Sequence, residues 1–395
     1  MKYWIGYFTA AILGAISYGL MELAKRYSTL VDMVYPYVCR TLQGMLAEWT
    51  APLDFCLWQL AAVALGVVLI VTIVLMLIFR WNPIAWGGWV LTGAAAIYLL
   101  HTLVFGLGYY AGPIEDDLRM EKRQYTVEEL ASAAGYYRDR ANELSAQVTR
   151  NSDGDPVYPE FEQLAEMAGN GFHNMVYEHG CAVFGGSTLP VKKLGWADMY
   201  SSMGITGFTF GITGEAAVNP QIPVTCLAFT MCHEMAHRML INHEGDANFA
   251  AFLACQANDA VEFQYAGYFM AYRYCYNALA SAGSAEAAAA AARVASGVGP
   301  QLRHDMKVYD DFFISRESKS ATKVADTVND TYLKTSGDSA GIASYGQVCD
   351  LLVSWHYKTV VAPTLTVEEA PFNPYDPEQV DLSGLVNARL PMEAG

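Results

Sequence analysis

Long uncharged stretches dominate the first part of the chain. No charged residue occurs between Asp54 and Arg80. Residues 55–79 therefore predict a transmembrane helix, since about 20 apolar residues cross a bilayer. The uncharged run that follows Arg80 predicts another span at residues 86–109, and residues 3–21 are an apolar stretch just long enough for an N-terminal anchor. We therefore expect three transmembrane helices.

These spans divide the chain into three parts. Residues 1–110 are assigned to a membrane region, and residues 111–362, with their helical periodicity, to one domain. Within that domain residues 205–219 have a β-prone texture around Thr213-Gly214, which predicts a hairpin or small sheet. Residues 363–395 are acidic and proline-rich, which predicts an extended or disordered tail. The predicted fold class is mainly α, with three N-terminal transmembrane helices and a small β-sheet in the domain.

Composition supports this division and limits the partners. Only 16% of the residues are charged, against about 25% in an average soluble domain, so the lipid bilayer is an expected partner. After residue 110 the chain carries 19 Lys+Arg and 36 Asp+Glu, a formal charge of −17. An acidic domain repels the phosphate backbone, so no nucleic-acid partner is expected.

One motif carries recognisable chemistry. His233-Glu234-Met235-Ala236-His237 follows an apolar run at residues 224–232, which is typical of a buried helix. Histidines four apart lie on one face of a helix, so both imidazoles can bind one Zn²⁺. The glutamate between them can take a proton from a metal-bound water and act as general base. We expect a zinc centre with His233 and His237 as ligands and Glu234 as the catalytic residue.

The third ligand is open between three residues. Glu244 fits the pattern Glu-x-x-small-Asp of gluzincin peptidases, in which the glutamate binds zinc. His243 fits the His spacing of metzincins, and Asp246 offers another carboxylate. Glu244 is preferred, because Leu240 stands where the metzincin motif has its turn glycine. The expected order is Glu244, then His243, then Asp246.

A turn must separate the two parts of this site. Seven residues of continuous helix rise about 10 Å, too far for His237 and Glu244 to share a metal. The chain must therefore turn between Arg238 and His243, and Asn242 is the expected left-handed residue. Asn248 stands where gluzincins have Asp, and it could accept an N–H bond from a ligating histidine and so orient that histidine toward the metal.

Two polar residues before the motif helix are further candidates. Glu215 and Asn219 are expected on the edge strand of the cleft, the strand that pairs with substrate backbone in zinc peptidases. The competing interpretation is that they are ordinary hairpin residues.

The chain contains several separated stretches that together form a pattern: residues 34–36, 105–110, 208–219, 233–237, 244–249, 329–334 and 344–345. This pattern resembles one bacterial membrane-protein family, catalogued as domain of unknown function 3810. The resemblance covers about residues 20–360 and implies a gluzincin-like zinc metallopeptidase with a zincin-like domain. The family pattern has Gly at the position of Leu240 and a basic residue at that of His243, which implies Glu244 as ligand. It implies no particular substrate.

The expected function is a membrane-anchored zinc metalloendopeptidase that hydrolyses peptide bonds of an unidentified peptide or protein. The alternative is an inactive membrane-bound binding or regulatory protein with a zincin-like fold. The distribution of Lys and Arg around the spans favours a cytoplasmic domain. The family resemblance and the acidic domain instead favour a multi-pass protein of the cell membrane with its domain outside, which we expect.

Overall fold

A computed structural model describes residues 2–336 except 122, residue 338 and residues 347–365. Within these residues the protein is mainly helical, as predicted, with one small sheet. The helices are α1 (Ile5–Arg26), α2 (Ser28–Thr50), α3 (Leu57–Ile78), α4 (Pro83–Val104), α5 (Ile114–Asp117), α6 (Val127–Ser145), α7 (Phe161–Tyr177), α8 (Ala197–Ser202), α9 (Val224–Arg238), α10 (Glu244–Ala257), α11 (Val261–Ser281), α12 (Ala285–Ser296), α13 (Pro300–Arg316), α14 (Lys319–Ser336), α15 (Gln347–His356) and α16 (Ala362–Leu365). Of the predicted tail, residues 363–365 end α16, and residues 366–395 lie outside the described residues.

Three helices, α1, α3 and α4, are long and apolar enough to cross a membrane. They overlap the three stretches predicted from the sequence, with ends displaced by a few residues. α1 packs along α4 at a point where Gly6 faces Gly88, and a Cβ on Gly6 would collide with the Gly88 carbonyl group. The Thr92 hydroxyl donates to the Gly6 carbonyl at 2.8 Å. Small residues and such a bond allow apolar helices to approach closely.

The domain core is built around α9. This helix packs against α7, α10 and α11, and α6 packs on α11. Its apolar sequence allows it to be buried on nearly every side. α6 begins at a capping box in which Thr126 and Glu129 satisfy each other's backbone N–H groups.

The sheet has three strands, β1 (Lys192–Lys193), β2 (Gly207–Phe210) and β3 (Glu215–Val218), in the order β1-β3-β2. β2 and β3 form the predicted antiparallel hairpin, with Gly214 at φ 67° in its turn. β1 pairs parallel to β3 and was not predicted, because two residues carry no periodic pattern. β2 is thus an edge strand of the sheet and packs against α9.

Candidate metal centre

The motif helix α9 brings His233 and His237 to one face. Their rings lie 4.6 Å apart and nearly perpendicular, and their Nε2 atoms are 3.1 Å apart. His237 is buried, whereas His233 keeps limited contact with solvent. Helical spacing alone accounts for this pairing, as the sequence indicated.

The turn after α9 reverses the chain, and its left-handed residue is Leu240, at φ 64°. The expectation of Asn242 at that position is therefore wrong. The Leu240 N–H donates to the His237 carbonyl and the Ile241 N–H to that of Ala236, the two bonds of a Schellman motif. This motif places the left-handed residue immediately after the helix cap. Asn242 instead donates from its side chain to the Phe105 carbonyl at 3.0 Å.

Glu244 is the first residue of α10 and reaches both histidines. Its Oε2 lies 3.3 Å from Nε2 of His233 and 3.6 Å from Nε2 of His237. Zn–N and Zn–O bonds of about 2.0–2.2 Å imply ligand atoms about 3.3–3.6 Å apart in a tetrahedron. The two N–O distances fall in this range and the 3.1 Å between the nitrogens lies just below it, so the triangle is close to the size that a small divalent metal ion requires. The three side chains form a group that could hold a metal ion.

The charges of this group also fit a cation. Burial lowers the pKa of His237, but the Glu244 carboxylate outweighs it and raises that pKa to about 9. Burial raises the pKa of Glu244, yet His237 and His233 hold it well below its usual range. Two imidazole nitrogens and a carboxylate oxygen this close need a positive charge between them, which a proton or a divalent metal can supply.

The second nitrogen of His237 has a fixed partner. Its Nδ1 lies 2.9 Å from the carbonyl oxygen of Ile241, in the turn after α9. A carbonyl oxygen can only accept a hydrogen bond, so Nδ1 carries the hydrogen of the neutral ring. The lone pair of the ring then lies on Nε2 and points to the metal group. The same turn therefore delivers Glu244 and sets the tautomer of His237.

Asn248, expected to support a ligating histidine, is buried at 3% exposure. Its Oδ1 accepts from the Tyr274 hydroxyl at 3.1 Å. Within the described part of the chain, neither Nδ2 of Asn248 nor Nδ1 of His233 has a hydrogen-bond partner. The role of Asn248 toward a histidine stays a prediction.

Glu234 lies between the metal group and the sheet. Its carboxylate accepts from the Thr209 hydroxyl of β2 at 2.7 Å. Gly207, two residues before Thr209, leaves the space this carboxylate occupies: a Cβ there would lie 2.7 Å from Cγ of Glu234 and closer still to Oε1. Burial raises the pKa of Glu234, while the two histidines oppose that rise. Sequence reasoning missed Thr209 and Gly207, because both residues reach Glu234 only when β2 packs against α9.

The other two candidates for third ligand point elsewhere. Nε2 of His243 lies 3.1 Å from the Tyr109 carbonyl, and its Nδ1 lies 3.5 Å from Asp338. Asp246 accepts from the backbone N–H of Ile114 at 3.3 Å. The structure thus brings Glu244, and neither His243 nor Asp246, to the two histidines.

Glu215 and Asn219 do not occupy an edge strand, and this expectation is corrected. Glu215 begins β3, which is paired on both sides, and its buried carboxylate accepts from Lys192 at 2.8 Å. Asn219 follows β3 and donates to Ser201 at 2.9 Å. β3 lies between β1 and β2 in the sheet, and both side chains have local partners. The edge strand beside Glu234 is β2.

A cavity of about 460 Å³ opens at the start of β2. Its lining residues come from the approach to β2 and from α11, α13 and the turn after α13: Gly204, Thr206, Arg273, Tyr309, Asp310, Phe313, Ile314 and Glu317. None of the three clustered side chains lines it. Thr206 immediately precedes Gly207, so the cavity adjoins the strand that contacts Glu234.

The fold and the site define a mainly helical protein with three apolar helices capable of crossing a membrane and a His-His-Glu group that could hold a metal. The chain belongs to the family described as "Protein of unknown function (DUF3810)", whose model matches residues 31–353. That range includes α9, α10 and the whole sheet. No curated protein and no solved structure matches the chain.

Proposed function

We propose that this protein is a membrane-anchored zinc-dependent peptidase of the gluzincin type, with a zincin-like domain. The observation that carries the proposal is the triangle of ligand atoms, 3.1, 3.3 and 3.6 Å on its sides, beside the carboxylate of Glu234. The two N–O distances match a zinc tetrahedron and the N–N distance is about 0.2 Å shorter, and the ligand set of two imidazoles and one carboxylate is one that hydrolytic zinc sites use. Glu244 on the helix after the motif helix supports the gluzincin type.

Each side chain has a distinct part in this reaction. His233, His237 and Glu244 would hold the ion, which supplies a bound water of lowered pKa and polarises the peptide carbonyl. Glu234 lies beside the group and is held by Thr209, so it can accept the proton of that water and pass it to the leaving amine. The edge of β2 offers backbone groups to an extended peptide in the same cleft.

We infer that α1, α3 and α4 cross the membrane. An odd number of spans puts the N-terminus and the domain on opposite sides, and we assign the domain to the extracytoplasmic side. A membrane-impermeant protease added to intact cells should then digest the domain. Protection in intact cells, with digestion after lysis, would place the domain in the cytoplasm.

The test of function separates chemistry from metal binding. Glu234→Gln keeps the shape of the side chain but removes its basicity, so it should retain zinc and lose hydrolysis of an unfolded substrate such as casein by at least about 100-fold. Glu244→Gln should lose zinc affinity first and activity as a consequence. Wild-type protein that binds zinc and shows the same casein turnover as Glu234→Gln would favour the alternative, a binding protein without catalysis.

A further inference from the structure

The metal centre lies next to the first turn of an apolar helix. The rings of Phe208 and Phe210 pack on Trp58 of α3, with ring centroids 5.2 and 5.6 Å apart. Thr209, between them, points to the other face of β2 and bonds Glu234. Successive strand residues face opposite sides, and packed layers are about 10 Å apart. One strand therefore separates the Glu234 carboxylate from the beginning of α3.

The start of α3 is fixed to the sheet by hydrogen bonds. The buried Glu215 carboxylate accepts from the backbone N–H groups of Leu57 and Trp58 at 2.8 and 3.0 Å, where the helix dipole favours a negative charge. Gln59 exchanges hydrogen bonds with Gly195, just after β1. The position of the sheet relative to α3 is therefore set by short contacts and not by a flexible linker.

A second helix, α2, also indicates that the metal centre lies close to the membrane. α2 exposes an apolar face with helical spacing, formed by Leu30, Met33, Val34, Tyr37, Val38, Met45 and Trp49, all at least half exposed. On its inner face Arg40 donates to the Met239 carbonyl at 2.8 Å and Gln43 to the Gly211 carbonyl at 2.7 Å. An exposed apolar face on a helix next to membrane-spanning helices fits a position in the membrane interface. Met239 is in the turn that follows the metal-binding helix.

We propose that the metal centre is seated at the bilayer surface and that its substrates are extended polypeptide segments directly next to a membrane anchor. This proposal rests on the proposed peptidase function. A segment that leaves the bilayer near α3 emerges directly beside the edge of β2. On this strand Phe208 is 42% exposed. A soluble peptide gains no such proximity, whereas an anchored one has a raised effective concentration at the cleft.

The location of the site can be measured without any activity. All eight native cysteines are buried, so a nitroxide attached to Phe208→Cys in the full-length protein labels one site. In liposomes we expect this label within about 10 Å of the lipid phosphates by its accessibility to oxygen and to a water-soluble nickel complex. The control is Ala289→Cys on α12, which packs on α6 and α11. Equal, purely aqueous accessibility at both positions overturns the proposal.

The substrate class is tested by where cleavage falls. The probe is a synthetic transmembrane helix followed by repeated copies of one casein-derived sequence, reconstituted with the full-length protein. We expect the copies within about 10 residues of the anchor, a reach of roughly 33 Å when extended, to be cut first. They should also be cut at least about 10-fold faster than the same sequence free in solution.

Uniform cutting along the probe, or equal rates for the free peptide, overturns the proposal while leaving the peptidase function intact. Absence of cleavage everywhere contradicts the peptidase function instead, and the spin-label depth then decides the location alone.

Discussion

The hydroxyl of Thr209 lies 2.7 Å from the carboxylate of Glu234 and 2.8 Å from the backbone carbonyl of the same residue. A single side chain of the edge strand thus contacts the glutamate of the motif at both ends. The contact fixes the distance between β2, where substrate backbone would lie, and the base that would act on it. Among the described residues, Thr209 is the side chain that donates a hydrogen bond to this buried carboxylate.

Thr209→Ala should lower kcat for casein by about 10- to 100-fold, because a hydrogen bond to a charged group is worth about 1.5–3 kcal/mol. Zinc content should not change, since Thr209 touches no ligand atom of the metal group. Thr209→Ser keeps the hydroxyl and is the matched control, so it should retain most of the activity. Equal impairment of both variants, or of neither, would show that the hydrogen bond does not position Glu234.

The sequence was sufficient for the parts of this site that depend on local spacing. The pairing of His233 and His237 follows from helix geometry, and the need for a turn before Glu244 follows from the rise of a helix. The left-handed residue of that turn was assigned wrongly, because the Schellman motif requires the position just after the cap and Leu240 is an unfavourable residue for it. Residue preference favoured Asn242, but hydrogen bonding decided the position.

Glu215 is expected to contribute to stability and not to substrate binding. Glu215→Ala leaves Lys192, at 12% side-chain exposure, without its carboxylate and removes the acceptor for the first N–H groups of α3. Loss of one partner of a buried ion pair costs about 3–5 kcal/mol. We expect a reduced thermal midpoint of the full-length protein in detergent.

The neighbouring pair provides the control for this prediction. Lys193 pairs with Glu162, whose side chain is 69% exposed, so Glu162→Ala should cost less than about 1 kcal/mol. The double variant Glu215→Leu with Lys192→Met should recover part of the loss, because it removes both charges together. Equal midpoints for Glu215→Ala and Glu162→Ala would contradict the structural role of Glu215.

Long-range contacts explain what the sequence could not predict. Glu215 lies far along the chain from Leu57 and Trp58, and nothing in the alternation of residues 205–219 indicates that its carboxylate caps a distant helix. The three apolar helices, in contrast, were predicted because length and hydropathy are local properties. Thr209 stands next to Glu234 only after the hairpin has folded against α9, so sequence spacing gave no indication of it.

His356 makes stability depend on pH. It is 4% exposed at the end of α15, against the ring of Tyr136, and burial lowers its pKa from 6.5 to about 4. As pH falls from 6.5 to about 4, the unfolded chain binds a proton at His356 that the folded chain does not, so the free energy of unfolding decreases. His356→Phe removes the titrating imidazole and should flatten the curve of unfolding free energy between pH 6.5 and about 4. Parallel curves for the variant and the wild type would show that His356 does not titrate differently on folding.

We propose that His233, His237 and Glu244 form one zinc site, and metal analysis of the purified full-length protein is the decisive test. The wild type should contain about one zinc per chain, and His233→Ala and His237→Ala should each lose it, because two remaining ligands hold zinc poorly. His243→Ala is the matched control and should keep its zinc, since His243 contacts Tyr109 and Asp338 instead of the metal group. A wild type without zinc, full zinc content in either histidine variant, or loss of zinc in His243→Ala with retention in Glu244→Gln would show that these three residues do not form the site.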